Sequence, residues 1–188
     1  VAQPWSRKAK QQEKEMKHYL ATHKLALVIV LAMAASTVAG AAALLTPGAG
    51  VLSAAVKARA HFIDRTDIRI KVKDSLTPVI NAPNAADTVV QEIVIAPGGH
   101  TGWHSHPGPV VVLIKSGTMS FYDGDDPTCT VKTYNAGEAF IDRGQGHTHI
   151  ARNEGASNLE LWATYFDVPP SATNNFRIDM PAPGNCPF

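Results

Sequence analysis

The chain has 188 residues, 45% of them hydrophobic, enough for one domain plus an appendage. Its formal net charge of +1 gives no basis for a nucleic-acid partner. That charge is unevenly placed. Residues 1–24 carry six of the 17 Lys and Arg against two acids, while residues 57–188 carry 11 against 14.

The first 24 residues read as a basic cytoplasmic leader holding Arg7, Lys8, Lys10, Lys14, Lys17 and Lys24. Residues 25–45 follow as an apolar run with no ionisable side chain. At 1.5 Å rise per residue such a run spans roughly 30 Å, the thickness of a bilayer core. Two readings stay open: an uncleaved transmembrane helix, or the apolar region of a secretion signal with Ala39-Gly40-Ala41 as small residues near a cut. Either places the rest of the chain outside the cytoplasm, membrane-anchored or secreted. Residues 46–60, rich in Gly, Pro and Ala, read as a linker.

From His61 the pattern changes. Ile68, Ile70 and Val72 alternate with charged residues, the period of a half-buried strand. Residues 75–87, with two prolines and several Asn and Asp, read as loop. A β-branched run over 88–96 predicts the next strand, and Pro97-Gly98-Gly99 a turn. Further strands are expected at about 102–106, 110–115, 117–122, 129–134, 138–142, 147–152 and 158–167, with Lys115–Thr118 and Asn135–Gly137 as turns. Many short strands without a helical stripe predict an all-β sandwich or barrel over residues 61–188.

Histidine carries the chemistry. Five of the eight histidines lie between His100 and His149. Residues i and i+2 of a strand share a face, so His104-Ser105-His106 sends two imidazoles into one space. His147-Thr148-His149 offers a second such pair. Neutral imidazole is a common metal ligand, so the cluster predicts a mononuclear metal site. Trp103 alternates with the pair and is expected to pack away from it, and His100, in a Gly-rich loop, to face solvent. Tyr122 and Phe140 are expected in the core, with a cavity wall as their other possible position. The two cysteines, Cys129 in a turn-rich segment and Cys186 near the C-terminus, are expected to form a disulfide that ties down the Pro-rich tail. In the chain-entropy account, closing such a loop contributes on the order of 4 kcal/mol.

These residues resemble the cupin superfamily. Its first motif is matched by Gly98, five residues, His104-Ser105-His106 and a closing Gly117; its second by Gly137, Gly146, His149 and Asn153. The resemblance covers roughly residues 85–168. It implies a single β-barrel of jelly-roll, double-stranded β-helix type. It also implies one divalent metal ion (Fe, Zn, Mn, Ni or Cu) held by His104, His106 and His149, with His147 as a further candidate. The family's glutamate should fall at 110 or 111, and both are valine, so the carboxylate ligand is expected to be missing. The second motif's proline position is Gly144, after a gap one residue longer. The resemblance permits a small-molecule dioxygenase or isomerase. The alternatives are a non-catalytic module binding a small molecule or metal, and a structural barrel with a vestigial site. Pairing as a homodimer is a further expectation from the family.

Overall fold

The structure is a computed structural model describing residues 10–20, 44–73, 79–170 and 175–188. The chain divides into two compact units, residues 1–42 and residues 43–188. In the first, residues 10–20 form helix α1, exposed along its length. Its side chains pair one turn apart: Gln11 Nε2 donates to Glu15 and Lys17 Nζ to Glu13. Among the described residues no helix is long and apolar enough to cross a membrane. Residues 25–43 of the expected apolar span lie outside the described residues. Its last residue, Leu45, is not helical and makes an antiparallel bridge to Pro181.

The second unit is all β. Its strands are β1 Ala49–His61, β2 Ile68–Lys71, β3 Val79–Ala82, β4 Asp87–His100, β5 His104–Ser105 and β6 Val110–Ser116. They continue as β7 Thr118–Asp123, β8 Lys132–Asn135, β9 Ala139–Asp142, β10 His149–Arg152, β11 Leu159–Val168 and β12 Ile178–Asp179. Strands β2 and β3 make a separate two-stranded sheet. The other ten make one antiparallel sheet folded into two faces, β1-β4-β11-β6-β9 and β8-β7-β10-β5-β12. The faces join where His100 of β4 meets Arg152 of β10. Folding a sheet onto itself in this way hides most strand edges, the expected barrel or jelly-roll solution.

The core lies between the faces. Alternation places Val110, Val112 and Ile114 of β6 and Leu159, Leu161, Ala163 and Tyr165 of β11 inward, with Val89, Ile95, Met119 and Phe121. A smaller cluster of Trp103, Tyr122 and Ile150 packs against the Cys129–Cys186 disulfide and Met180. Trp103 is thus buried away from the histidines, as its strand parity predicts.

Three stretches differ from the sequence reading. Residues 49–61, expected mostly as linker, form β1, which pairs with β4 from Val51↔Ile95 to His61↔Asp87. Small side chains give little strand signal, but main-chain pairing needs none. The pairing is reinforced where Arg59 Nε donates to Asp87 Oδ2 at 2.7 Å and His61 Nδ1 meets Asp87 Oδ1 at 3.0 Å. Within the expected loop 75–87, Val79–Ala82 forms β3 because Ile80 finds Ile70 across the ladder; Pro78 and Pro83 flank the strand instead of interrupting it. The turn expected at residues 97–99 is an excursion inside β4: Ala49↔His100 and Val51↔Ile95 are successive pairs, and Gly98 takes a positive φ of 75°.

The Lys115–Thr118 turn does not make a hairpin. Gly117, at φ 80°, carries the chain from β6 on one face to β7 on the other. A Cβ there would sit 2.8 Å from the Asn158 carbonyl oxygen, which explains the glycine.

Candidate metal centre

Strand β5 is two residues long, and its job is to present histidine. His104 pairs with His149 of β10 across the ladder. His106, two positions on, keeps the same direction. Ring centroids lie 4.8 Å apart for His104 and His106, 4.3 Å for His104 and His149, and 5.2 Å for His106 and His149. One donor atom from each of the three lies within 4.8 Å of the others. All three residues are buried.

Each imidazole has its Nδ1 against a main-chain carbonyl oxygen. The partners are Gly102 O at 2.9 Å for His104, Phe176 O at 2.6 Å for His106 and His147 O at 3.4 Å for His149. A carbonyl oxygen only accepts, so each Nδ1 carries the proton and each Nε2 keeps its lone pair. Burial holds the rings neutral. It pushes His104 well below its ordinary value, aided by the charges of His149 and His106; it brings His106 down to about 4 and lowers His149.

A carboxylate lies beside the group. Asp142, the last residue of β9, lies opposite Val110 of β6 and is 3% exposed. Its Oδ2 is 3.6 Å from His106 Nε2 and 3.5 Å from His149 Nδ1, and has no hydrogen-bond partner among the described residues. Among the described residues no carboxylate converges with the three histidine donors, but Asp142 stands beside two of them. Valine does occupy 110 and 111, but the acid arrives on the neighbouring strand. The signal was present in the parity of β9, since Phe140 and Asp142 share a face and both line the cavity.

His147 takes another position. It precedes β10 in a turn closed by its own N–H to Gly144 O, at 3.0 Å, so the same-face argument does not hold for it. Its Nε2 meets Asp123 Oδ1 at 2.5 Å and its Nδ1 faces Asp142 Oδ1 at 3.4 Å. Burial pushes this imidazole down, but the hydrogen bonds and charges of Asp123 and Asp142 outweigh it and raise the group to about 9. Burial likewise pushes Asp142 up, and the neighbouring imidazoles, His149 first, reverse that and hold the carboxyl low. Asp142, His147 and His149 also form a second set of converging donor atoms. The structure thus brings His104, His106 and His149 together, and places His147 on the outer side of Asp142.

The cavity beside the histidines encloses about 40 Å³ of water-accessible space. Its wall is mainly apolar, including Val110, Met119, Phe121 and Leu161. Phe121 stacks on His149 with centroids 5.0 Å apart, and Tyr165 meets His106 edge-on at 5.0 Å. The Tyr165 hydroxyl donates to Gln91 Oε1 at 2.9 Å, so its polar end is already engaged. His100 is half-buried, not solvent-facing, because its Nδ1 accepts the Gly102 N–H at 3.1 Å. Cys129 and Cys186 are joined as a disulfide with Cα atoms 5.2 Å apart.

The family profile described as "Cupin domain" matches residues 91–165. A comparison with curated proteins finds no match. Among solved structures, the chain is similar to a conserved protein with a double-stranded β-helix domain from Klebsiella pneumoniae subsp. pneumoniae. The identity is 22%, over 49% of this chain and 73% of that one, with a TM-score of 0.39. It is similar to a cupin domain from Bordetella pertussis Tohama I at 18% identity, over 65% and 97% of the two chains, with a TM-score of 0.41. It is also similar to the polyketide cyclase RemF from Streptomyces resistomycificus at 18% identity, over 47% and 63%, with a TM-score of 0.39.

Proposed function

We propose that this chain is a cupin-superfamily protein that binds one divalent metal ion and uses it on a small molecule. The ligands are His104, His106 and His149 through Nε2, with Asp142, beside His106 and His149, as the candidate carboxylate. One observation carries this reading: three buried imidazoles, each with Nδ1 turned to a carbonyl oxygen, bring one donor atom apiece within 4.8 Å of one another. Beside them Asp142 Oδ1 faces His147 and the Gly144 N–H, while its buried Oδ2 has no hydrogen bond among the described residues, a position that a bound cation would satisfy. Three neutral nitrogens and one carboxylate suit Fe, Zn, Mn, Ni or Cu.

Such an ion, when bound, supplies Lewis acidity or oxygen activation, the chemistry of a small-molecule dioxygenase or isomerase. The chain's own residues do the rest. His147 holds Asp142 in place from behind. Phe121 and Tyr165 fix two of the imidazole planes by ring contact. Val110, Met119 and Leu161 keep the cavity dry. A cavity of about 40 Å³ admits a few non-hydrogen atoms as it stands, which favours a small substrate. The same small volume is the observation behind a second reading, a non-catalytic metal-binding module. The disulfide supports an oxidising, extracytoplasmic setting, whether anchored or secreted.

Elemental analysis of the purified full chain, beside His104→Ala and His149→Ala, tests the reading. Near one metal per chain, lost in both variants, is the expected result. A metal-free protein that is not stabilised by added Fe, Zn, Mn, Ni or Cu ions would overturn it. Dioxygen uptake or turnover of small carbonyl and thiol compounds then separates the enzyme from the binding module.

A further inference from the structure

The described C-terminal residues, 175–188, lie beyond the family match yet touch the histidine group directly. The Phe176 carbonyl is the acceptor for His106 Nδ1, and its ring packs 4.7 Å from that of Tyr165. Strand β12 then pairs with β5: Ile178 opposite Ser105 and Asp179 opposite His104. Arg177 Nη2 donates to Thr101 O at 2.7 Å, and Met180 N donates to Trp103 O at 3.0 Å. A two-residue strand has almost no pairing of its own. β5 is held between a single pair to β10 and two pairs to β12. Losing β12 would leave β5 as a sheet edge, and losing Phe176, two residues before it, would leave His106 without its acceptor.

Beyond Met180 the tail contains Pro181, Pro183 and Pro187, which cannot donate main-chain hydrogen bonds. Its end is anchored by other means. Cys186 is bonded to Cys129, 57 residues earlier. Asn185 Nδ2 donates to Asp123 O at 2.9 Å and to Asp126 O. Phe188 lies under the Arg152 guanidinium at 4.0 Å and against Tyr122 at 5.0 Å.

We propose that residues 175–188 are a strap that positions the metal ligands, with Phe176 as the positioning residue for His106 and the Cys129–Cys186 bond as the clasp. The inference rests on the metal-binding reading above. The clasp makes the site responsive to thiol reductants. A dithiol supplies two electrons and two protons, the Sγ–Sγ bond breaks to two thiols, and the dithiol leaves as its own disulfide. The strap then loses its covalent anchor, and His106 loses the constraint on its ring orientation.

The test is a Co2+ titration of the full chain, read by visible absorption and by the rate of loss to EDTA. Three samples are compared: wild type, Cys129→Ser/Cys186→Ser, and wild type reduced, alkylated and desalted. The expected result is an unchanged far-UV spectrum, Co2+ affinity lower by about tenfold or more, faster loss to EDTA and an altered Co2+ spectrum in both modified samples. Reoxidation of reduced, unalkylated protein restores the original values. Equal affinity and an equal Co2+ spectrum in all three would overturn the strap while leaving the metal reading intact. A wild type that takes up no Co2+ would overturn both. If the double variant does not fold, the reduced wild type decides. General unfolding of that sample would assign the disulfide to the whole fold and overturn the strap.

Discussion

Asp142 stands directly across the β6–β9 ladder from Val110, with both side chains buried in the barrel and the carboxylate turned to His106 and His149. Cross-strand neighbours on one face lie only about 5 Å apart. A carboxylate contributed from either strand can therefore reach the same region. Val110 occupies one of the two positions at which the resembled motif would carry its glutamate, so in the proposed site Asp142 would be an equivalent source of the acid one strand away.

Asp142→Asn tests that equivalence. It keeps the shape and removes the charge, and metal affinity is expected to fall by about 10- to 100-fold. Val110→Glu combined with Asp142→Ala moves the acid to the other strand and should recover part of the loss. Calorimetric titration with Zn2+ checks both, and an Asp142→Asn protein binding as tightly as wild type would remove Asp142 from the ligand set.

His147 lies between two carboxylates, and its side chain is 8% exposed. Replacing it with Gln leaves Asp142 buried without its cation in the metal-free protein. The expected destabilisation is about 3 kcal/mol, the usual scale for breaking one side of a buried pair. Added metal should recover much of it by supplying another cation. Urea denaturation with EDTA and with Zn2+ measures both values. A metal-free His147→Gln protein as stable as wild type would contradict the pairing.

The β1–β4 junction has its own acid dependence. Hydrogen bonds from His61 and then Arg59 hold the Asp87 carboxyl below its ordinary value of 3.8. A depressed carboxyl stabilises the fold above its unfolded value, and that stabilisation is lost as pH falls through the folded one. Asp87→Asn should therefore lower the melting temperature at neutral pH, with the gap to wild type narrowing as pH falls below the ordinary carboxyl value of 3.8. Thermal scans across that range follow the gap; one that does not change with pH would show that the Asp87 charge contributes nothing.

Phe121 links the core to the site, being 5% exposed and stacked on His149. Phe121→Ala opens a cavity beside that ring and is expected to cost about 3–5 kcal/mol of stability. It should weaken metal binding as well. Phe121→Leu retains most of the volume without the stacked face, so it should recover most of the stability and less of the affinity. Denaturation and Zn2+ titration of both variants separate packing from ring orientation.

Much of the architecture was legible in the chain because strand periodicity is local. Ile68 and Ile70, the inward valines of β6 and the alternation of β11 are set by the backbone's period of two, whatever lies across the ladder. The same period turned His104 and His106 to one side, and the motif spacing brought in His149. The disulfide partners followed from there being two cysteines.

What only the tertiary structure decided was cross-strand and long-range. Asp142 joins the histidines because β9 pairs with β6 in one register, and a register is not written in either strand alone. Residues 49–61 become a strand because β4 offers unpaired main-chain groups, not because alanine prefers one. His147 departs from the His149 face because its turn ends before β10 begins. Phe176 meets His106 across 70 residues through a main-chain carbonyl, a group every residue carries, so no side-chain pattern can announce it.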